Sequence, residues 1–170
     1  FAHGLVFINN GSGAMSAVRP QAGAKAELNA VWSERRNIAK KSSPIIHGDH
    51  IYMVTDNGIA TCLEAKTGNP FGERLDAGEF AASPILCGDR IYCFSMNGNA
   101  VVFAAKTEFK ILSRGKYESG FMATPAVTGN ALILRTKTAV YRVEGKNRTG
   151  IRSLIIGTYK RVAPFRDGVT

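Results

Sequence analysis

The chain has 170 residues, of which 45% are hydrophobic and 21% charged, with a net charge of +9 and three cysteines. This length and composition fit one ordinary globular domain and exclude wholesale disorder and a disulfide scaffold. They also give no basis for a membrane-spanning helix, because no apolar run approaches the roughly 20 residues that a span needs.

The charge is unevenly placed along the chain. Residues 135–170 carry +7 and the first 134 residues carry +2. A basic segment can attract phosphate or anionic lipid, but Tyr141, Tyr159 and Phe165 are too scattered to stack the bases of a single strand. We therefore expect no nucleic-acid partner and interpret the segment as a solvated basic edge.

The first predicted elements are a strand at residues 6–8 and a second strand that follows Gly13. The Gly-rich stretch between them, residues 9–13, has neither the lysine of a phosphate loop nor the third glycine of a dinucleotide fingerprint. It is typical of a hairpin.

The stretch that begins at Ser43-Pro44 returns twice further along the chain. The three prolines are 40 and 41 residues apart, and each copy places a strand before a Gly-Asp or Gly-Asn turn and an apolar strand after it. The residues that carry this part of the repeat are Ser43, Pro44, Gly48, Asp49, Ser83, Pro84, Gly88, Asp89, Thr124, Pro125 and Gly129.

A second hairpin follows in each copy. Asn57-Gly58 and Asn97-Gly98 are strong hairpin signals, because Asn and Gly tolerate the positive φ of a type I′ turn. A third strand is predicted at residues 59–64 and 100–104, and a fourth at residues 71–75 and 110–113. In the last copy the second hairpin is shortened to residues 135–138, and residues 151–156 would add a strand.

Four antiparallel strands in about 40 residues match the size of a propeller blade. The alternative is a single antiparallel sandwich, but sandwich strands seldom repeat a sequence. We predict an all-β fold of about four blades over residues 1–145, with a basic segment over residues 146–170. The predicted units are about 1–42, 43–82, 83–123 and 124–157.

The copies resemble the pyrroloquinoline-quinone-like (PQQ-like) β-propeller repeat. The resemblance rests on the Ser-Pro strand, the Gly-Asp turn, the Asn-Gly hairpin and a closing motif that ends in Thr67-Gly68. Propellers of this family are commonly eight-bladed, so the resemblance implies that this chain, which begins at Phe1, is part of a larger propeller. The missing blades would then be partners of these four.

The chain departs from the family pattern at the tryptophan that docks one blade on the next. Gly72 and Leu112 stand at that place in the second and third units, and Trp32 alone fits it, in the first unit. The resemblance implies blade docking as the role of Trp32. We expect smaller groups such as Phe71 or Leu112 to dock the other blades.

Other chemistry has weaker support in the sequence. His47 and His50 flank the Gly48-Asp49 turn, and the next copies place cysteine and threonine where His47 stands, so we expect a turn flank and no metal. Cys62, Cys87 and Cys93 are expected to be ordinary buried thiols.

Two functions remain open. The first is a non-catalytic module that binds a protein or carbohydrate through propeller loops, in a periplasmic or secreted bacterial envelope protein, as the resemblance implies. The alternative is a fragment of a quinoprotein-type oxidoreductase. The chain lacks the adjacent cysteine pair of those enzymes, so we expect no catalytic residue and no cofactor here, while PQQ remains conceivable in the parent protein.

Overall fold

The computed structural model describes residues 1–21, 29–144 and 160–164, and for residues 73–74 and 160–164 it describes the backbone only. In this part of the chain the regular elements are fifteen β-strands, and there is no helix. The strands are β1 (Val6–Asn9), β2 (Met15–Val18), β3 (Ala30–Glu34), β4 (Ile45–His47), β5 (His50–Val54), β6 (Ile59–Glu64), β7 (Pro70–Arg74), β8 (Ile85–Cys87), β9 (Arg90–Phe94), β10 (Asn99–Ala104), β11 (Ile111–Lys116), β12 (Ala126–Thr128), β13 (Ala131–Arg135), β14 (Ala139–Glu144) and β15 (Lys160–Pro164).

The strands form four antiparallel sheets in which neighbours in sequence are neighbours in space. The first sheet is β1-β2-β3, the second β4 to β7, the third β8 to β11 and the fourth β12 to β15. We refer to them as blades 1 to 4. The predicted all-β fold of propeller blades is confirmed.

Blade 1 has three strands among the described residues where the repeat led us to expect four. Its hairpin glycine, Gly13, corresponds to Gly58 and Gly98, so β1, β2 and β3 correspond to the second, third and fourth strands of the other blades. The residues before β1 form only an isolated bridge between Ala2 and Leu5.

Blade 4 obtains its last strand from the basic segment. Lys160–Pro164 pairs with β14, with Val140 opposite Ala163 and Tyr141 opposite Arg161. This strand lies beyond residue 157, where the repeat placed the end of the unit. The strand predicted at residues 151–156 lies outside the described residues.

Three apolar clusters join the blades in order, and each contains side chains of the intervening linker. Blades 1 and 2 meet around Met15, Ile51, Met53 and Leu63, with Ile38 and Ala39 from the linker. Blades 2 and 3 meet around Tyr52, Cys62, Ile91 and Phe103, with Leu75 and Phe80. Blades 3 and 4 meet around Tyr92, Phe94, Leu132 and Tyr141, with Tyr117 and Phe121.

The expectation that Phe71 or Leu112 docks the blades is wrong. Phe71 is 49% exposed and Leu112 is 40% exposed. Leu112 lies at a bulge, because Val102 pairs with Ser113 while the next residue, Phe103, pairs with Ile111. The buried contacts between blades 2, 3 and 4 come instead mostly from the second and third strands and from linker side chains such as Phe80 and Tyr117.

No helix among the described residues is long and apolar enough to cross a bilayer.

Candidate functional site

Each blade has two chemically different ends. Because the strands are antiparallel, the second hairpin lies at the same end as the linker to the next blade, which we call the linker end. The first hairpin and the closing turn between the third and fourth strands lie at the opposite end, which we call the turn end. The linkers comprise residues 35–44, 75–84 and 117–125.

The Ser-Pro residues connect one linker to the next. The backbone N–H of Ser43 donates to the Ser83 hydroxyl at 2.9 Å, and the N–H of Ser83 donates to the Thr124 hydroxyl at 3.0 Å. The next residues are Pro44, Pro84 and Pro125, which directly precede the first strands of blades 2, 3 and 4. A hydroxyl residue before the proline is thus a contact between successive blades.

The Gly-Asp residues form the turn end. Gly48, Gly88 and Gly129 have φ values of 59°, 64° and 55°, in the left-handed region that favours glycine. The carbonyls of Asp49 and Asp89 each accept a 2.8 Å bond, from the backbone N–H of Ala65 and of Ala105 respectively. The turn is therefore fixed to the end of the third strand in blades 2 and 3.

The second hairpins turn at Gly58 and Gly98, with φ values of 84° and 81°. The Thr55 hydroxyl donates to the side-chain oxygen of Asn57 at 2.5 Å and accepts from the N–H of Ile59 at 2.9 Å. Asn97 lies against the linker, where a Cβ on Gly78 would be 2.6 Å from its side-chain nitrogen.

Trp32 lies between blades 1 and 2. Its indole N–H donates to the Ala65 carbonyl at 2.9 Å, and its ring covers Gly68, where an added Cβ would lie 2.6 Å from the ring. Gly68 has a φ of 76°. The preceding Thr67 donates from its hydroxyl to Glu64 at 2.6 Å. The closing motif of blade 2 therefore supplies the surface on which Trp32 packs.

Two open clefts lie at the linker end. A cleft of about 490 Å³, which we call the first-junction cleft, lies between blades 1 and 2 and is lined by polar and charged residues that include Arg35, Asn37, Lys40 and Asp56. A smaller cleft of about 190 Å³ lies where the linker to blade 4 meets the second hairpin of that blade. Its lining includes Met122, Arg135 and Lys137.

The repeat indicates Gly13 and Asn57 of the first-junction cleft as hairpin residues, but it does not indicate the cationic Arg35 and Lys40. The signal was present four residues before each repeat proline, where Lys40 precedes Pro44 while phenylalanine precedes the other two prolines. The repeat pattern directs attention to residues that recur, whereas this cleft depends on one that does not.

Among the described residues, each group with a shifted pKa has that pKa moved further from neutral pH. Burial raises the pKa of Cys62 to about 11, and burial also raises the pKa of Cys87, Cys93 and Tyr52. The hydrogen bond from Arg36 lowers the pKa of Glu34 to about 2. A general acid or base works best with a pKa near the operating pH, and none of these groups has one.

None of the three cysteines, Cys62, Cys87 and Cys93, is in a disulfide. All three are buried and free, and Cys87 pairs with Arg90 across its turn. The Asp49 carboxylate in the turn adjoining His47 is approached by His3 and by Lys66, each at 3.5 Å. In the part of the chain that the structure describes, no three His, Cys, Asp or Glu side chains are close enough to hold a metal ion.

Trp32 makes its contacts within this chain. Its ring is packed against Gly68 and its N–H donates to the Ala65 carbonyl. Phe7 approaches it with ring centroids 6.0 Å apart. Trp32 is committed to the contact between blades 1 and 2.

Comparison with known proteins shows what these blades are similar to. Residues 1–74 match the model of a family described as outer membrane protein assembly factor BamB. Comparison with curated protein sequences gives no match.

Several solved structures share the fold. BamB from Moraxella catarrhalis has a TM-score of 0.67 and 15% identity, over 94% of this chain and 46% of that one. Dihydro-heme d1 dehydrogenase NirN in complex with DHE has a TM-score of 0.66 and 14% identity, over 94% and 35%. The Pan2 WD40 domain from Neurospora crassa has a TM-score of 0.61 and 8% identity, over 93% and 46%.

At these identities the likeness shows the fold alone. The chain spans less than half the length of each of these structures. The resemblance to PQQ-like propeller repeats is confirmed by the match over residues 1–74 and by the shared fold.

Proposed function

We propose that this chain, a set of PQQ-like propeller blades, is a non-catalytic binding or scaffold module of a bacterial cell-envelope protein. The observation that carries the proposal is the linker end, where two open clefts with cationic side chains lie on the same end of the blades. Clefts that present cationic side chains, one of them beside the exposed Met122, are suited to binding.

The smaller cleft combines the two features of a protein-binding surface. Met122 is 56% exposed, and methionine is an adaptable apolar contact. Arg135 and Lys137 line the same cleft and provide charge. A protein or a carbohydrate is the class of partner that this combination fits.

The match of residues 1–74 to the BamB model supports a location in the periplasm or outside the cell. The same match, together with the coverage of less than half of BamB, supports the proposal that further blades of the same repeat accompany these four. On blade 1, Ile8 and Val31 are 42% and 48% exposed on the face turned away from blade 2, where such a blade would pack.

Photo-crosslinking in cells that produce the full-length protein tests the binding role. A photoreactive residue at Met122 should give discrete adducts, and the purified partner should bind the purified protein. The same residue at Lys106, an exposed position at the turn end, is the matched control and should give none. Absence of adducts from Met122, or equal adducts from both positions, would contradict a binding surface at the linker end.

The competing function, quinone-dependent oxidation, has its own measurement. The full-length protein with added quinone and calcium should reduce an electron-accepting dye no faster than the buffer does. Steady turnover with an alcohol substrate would overturn the non-catalytic role.

A further inference from the structure

Two of the three junctions between blades are closed by a phenylalanine from the linker. Phe80 and Phe121 stand four residues before Pro84 and Pro125, and both are buried. The backbone of each also forms an isolated β-bridge with the blade that follows, Phe80 with Ser95 and Phe121 with Thr136. The Phe80 ring also lies over the hairpin glycine of the preceding blade, since a Cβ on Gly58 would be 3.5 Å from its Cε2.

The junction between blades 1 and 2 has Lys40 at this position. The side chain of Lys40 lies over Gly13, the hairpin glycine that corresponds to Gly58, and a Cβ there would be 3.3 Å from the Lys40 Cε. Lys40 thus follows the path that the Phe80 ring takes, but it is exposed. A thin aliphatic chain fills less space than a ring, and the first-junction cleft of about 490 Å³ lies at this junction.

The cationic side chains of the first-junction cleft, Arg35 and Lys40, are not paired with its carboxylate. Asp56 is the carboxylate among its lining residues, and it is already paired: the backbone N–H groups of Lys40 and Lys41 donate to it at 3.1 and 3.2 Å, and the Lys41 ammonium lies 3.4 Å away. Partial burial opposes ionisation, but these contacts hold the pKa of Asp56 below its usual value. Among the described residues, no hydrogen bond or ion pair engages the Arg35 guanidinium or the Lys40 ammonium.

We propose that the first-junction cleft binds the carboxylates of an acidic peptide segment. Arg35 and Lys40 would supply charge-assisted hydrogen bonds, which are stronger than bonds between neutral groups. Ser12, Asn37 and Thr55 give the cleft further polar lining. The volume lies within the roughly 300–1,000 Å³ of ligand pockets. This inference rests on the proposed binding function and specifies the chemistry of the partner.

The test uses the full-length protein and a fluorescently labelled peptide of alternating aspartate and glutamate, with an Asn/Gln peptide of the same length as its neutral counterpart. The acidic peptide should bind saturably, and added salt should weaken the binding because exposed charges are screened. The neutral peptide should bind at least about tenfold more weakly, as expected when a charged partner is removed.

Three variants locate the binding. Lys40→Phe installs the residue of the other junctions and should lower the affinity at least about tenfold, as should Arg35→Gln. Lys40→Gln keeps a polar side chain of similar length at this exposed position and should show the same loss without a change in thermal stability. Lys106→Gln removes an exposed cation at the turn end and should bind as the wild type does.

Two results would overturn the inference: no saturable binding of the acidic peptide, or equal binding by the wild type, Lys40→Phe and Lys40→Gln. Binding of free succinate at the cleft without binding of the peptide would contradict the assignment to a peptide segment. If the acidic peptide does not bind while a photoreactive residue at Met122 still crosslinks a partner, this inference is overturned and the proposed binding function stands. Quinone-dependent turnover would overturn the proposed function whether or not the peptide binds.

Discussion

The backbone N–H of Ser43 donates to the hydroxyl of Ser83, the residue at the same repeat position 40 residues later, at 2.9 Å. In the same way, the Thr124 hydroxyl accepts a hydrogen bond from the backbone N–H of Ser83. Ser83 and Thr124 therefore have two roles, because each leads into the first strand of its blade and its hydroxyl accepts a hydrogen bond from the residue that leads into the preceding blade. This explains why serine or threonine, rather than any small residue, recurs at this position.

Removing the Ser83 hydroxyl should loosen the contact between blades 2 and 3. Ser83→Ala is expected to lower the free energy of unfolding by about 0.5–1.5 kcal/mol, the net contribution of one hydrogen bond. Ser83→Thr, which reproduces the residue of the next copy, should lose less. Urea unfolding followed by circular dichroism measures both, and an alanine variant as stable as the threonine variant would show that the hydroxyl is not used.

Gly68 should tolerate a side chain poorly for two reasons. Gly68→Ala is expected to cost about 2–4 kcal/mol, because alanine is strained at a φ of 76° and its Cβ would meet the Trp32 ring. Gly48→Ala is the matched control, since Gly48 has a φ of 59° but an added Cβ there meets nothing within 4 Å. It should cost about 1–2 kcal/mol. Equal losses in thermal unfolding would mean that Trp32 does not press on Gly68.

The same linker position should respond differently in two junctions. Phe80→Ala removes a buried ring and should cost about 3–5 kcal/mol. Lys40→Ala removes an exposed chain and should change stability by no more than about 0.5 kcal/mol. Chemical unfolding of the two variants is the measurement. A large loss from Lys40→Ala would show that the lysine side chain supports the junction as the phenylalanine does.

Glu34 should contribute to acid sensitivity. The Arg36 side chain holds the pKa of Glu34 at about 2 instead of 4.5, so folding is favoured by the ionised carboxylate. The contribution is complete above about pH 5 and is lost as the pH falls toward about 2, because the unfolded state then binds a proton that the folded state does not. Glu34→Gln should make the melting temperature fall less steeply over this range.

In the Glu34→Gln variant the melting temperature should still fall somewhat with falling pH, because the pKa of Asp56 is also lowered. A Glu34→Gln variant with the wild-type slope would show that the pair with Arg36 is not formed in solution.

The repeat itself was readable from the sequence, because it depends on local backbone chemistry. Asn57-Gly58 and Gly48-Asp49 encode turns through residues that accept positive φ, and short, mostly apolar runs between the turns encode strands. These signals do not require knowledge of what lies across the sheet. The third strand predicted at residues 59–64 therefore agrees with β6, and the order of strands in each sheet follows from the hairpins.

What only the tertiary structure decided is how each blade meets the next. Phe71 and Leu112 have the hydrophobicity that docking needs, but on the outer strand, which has a bulge at Leu112, they are 49% and 40% exposed. The place of Lys40 in the first junction is likewise a tertiary feature, because its side chain follows the path of Phe80 over a corresponding glycine. Turns are fixed by neighbouring residues along the chain, whereas docking surfaces and clefts depend on side chains about 40 residues apart meeting in one place, which no local pattern specifies.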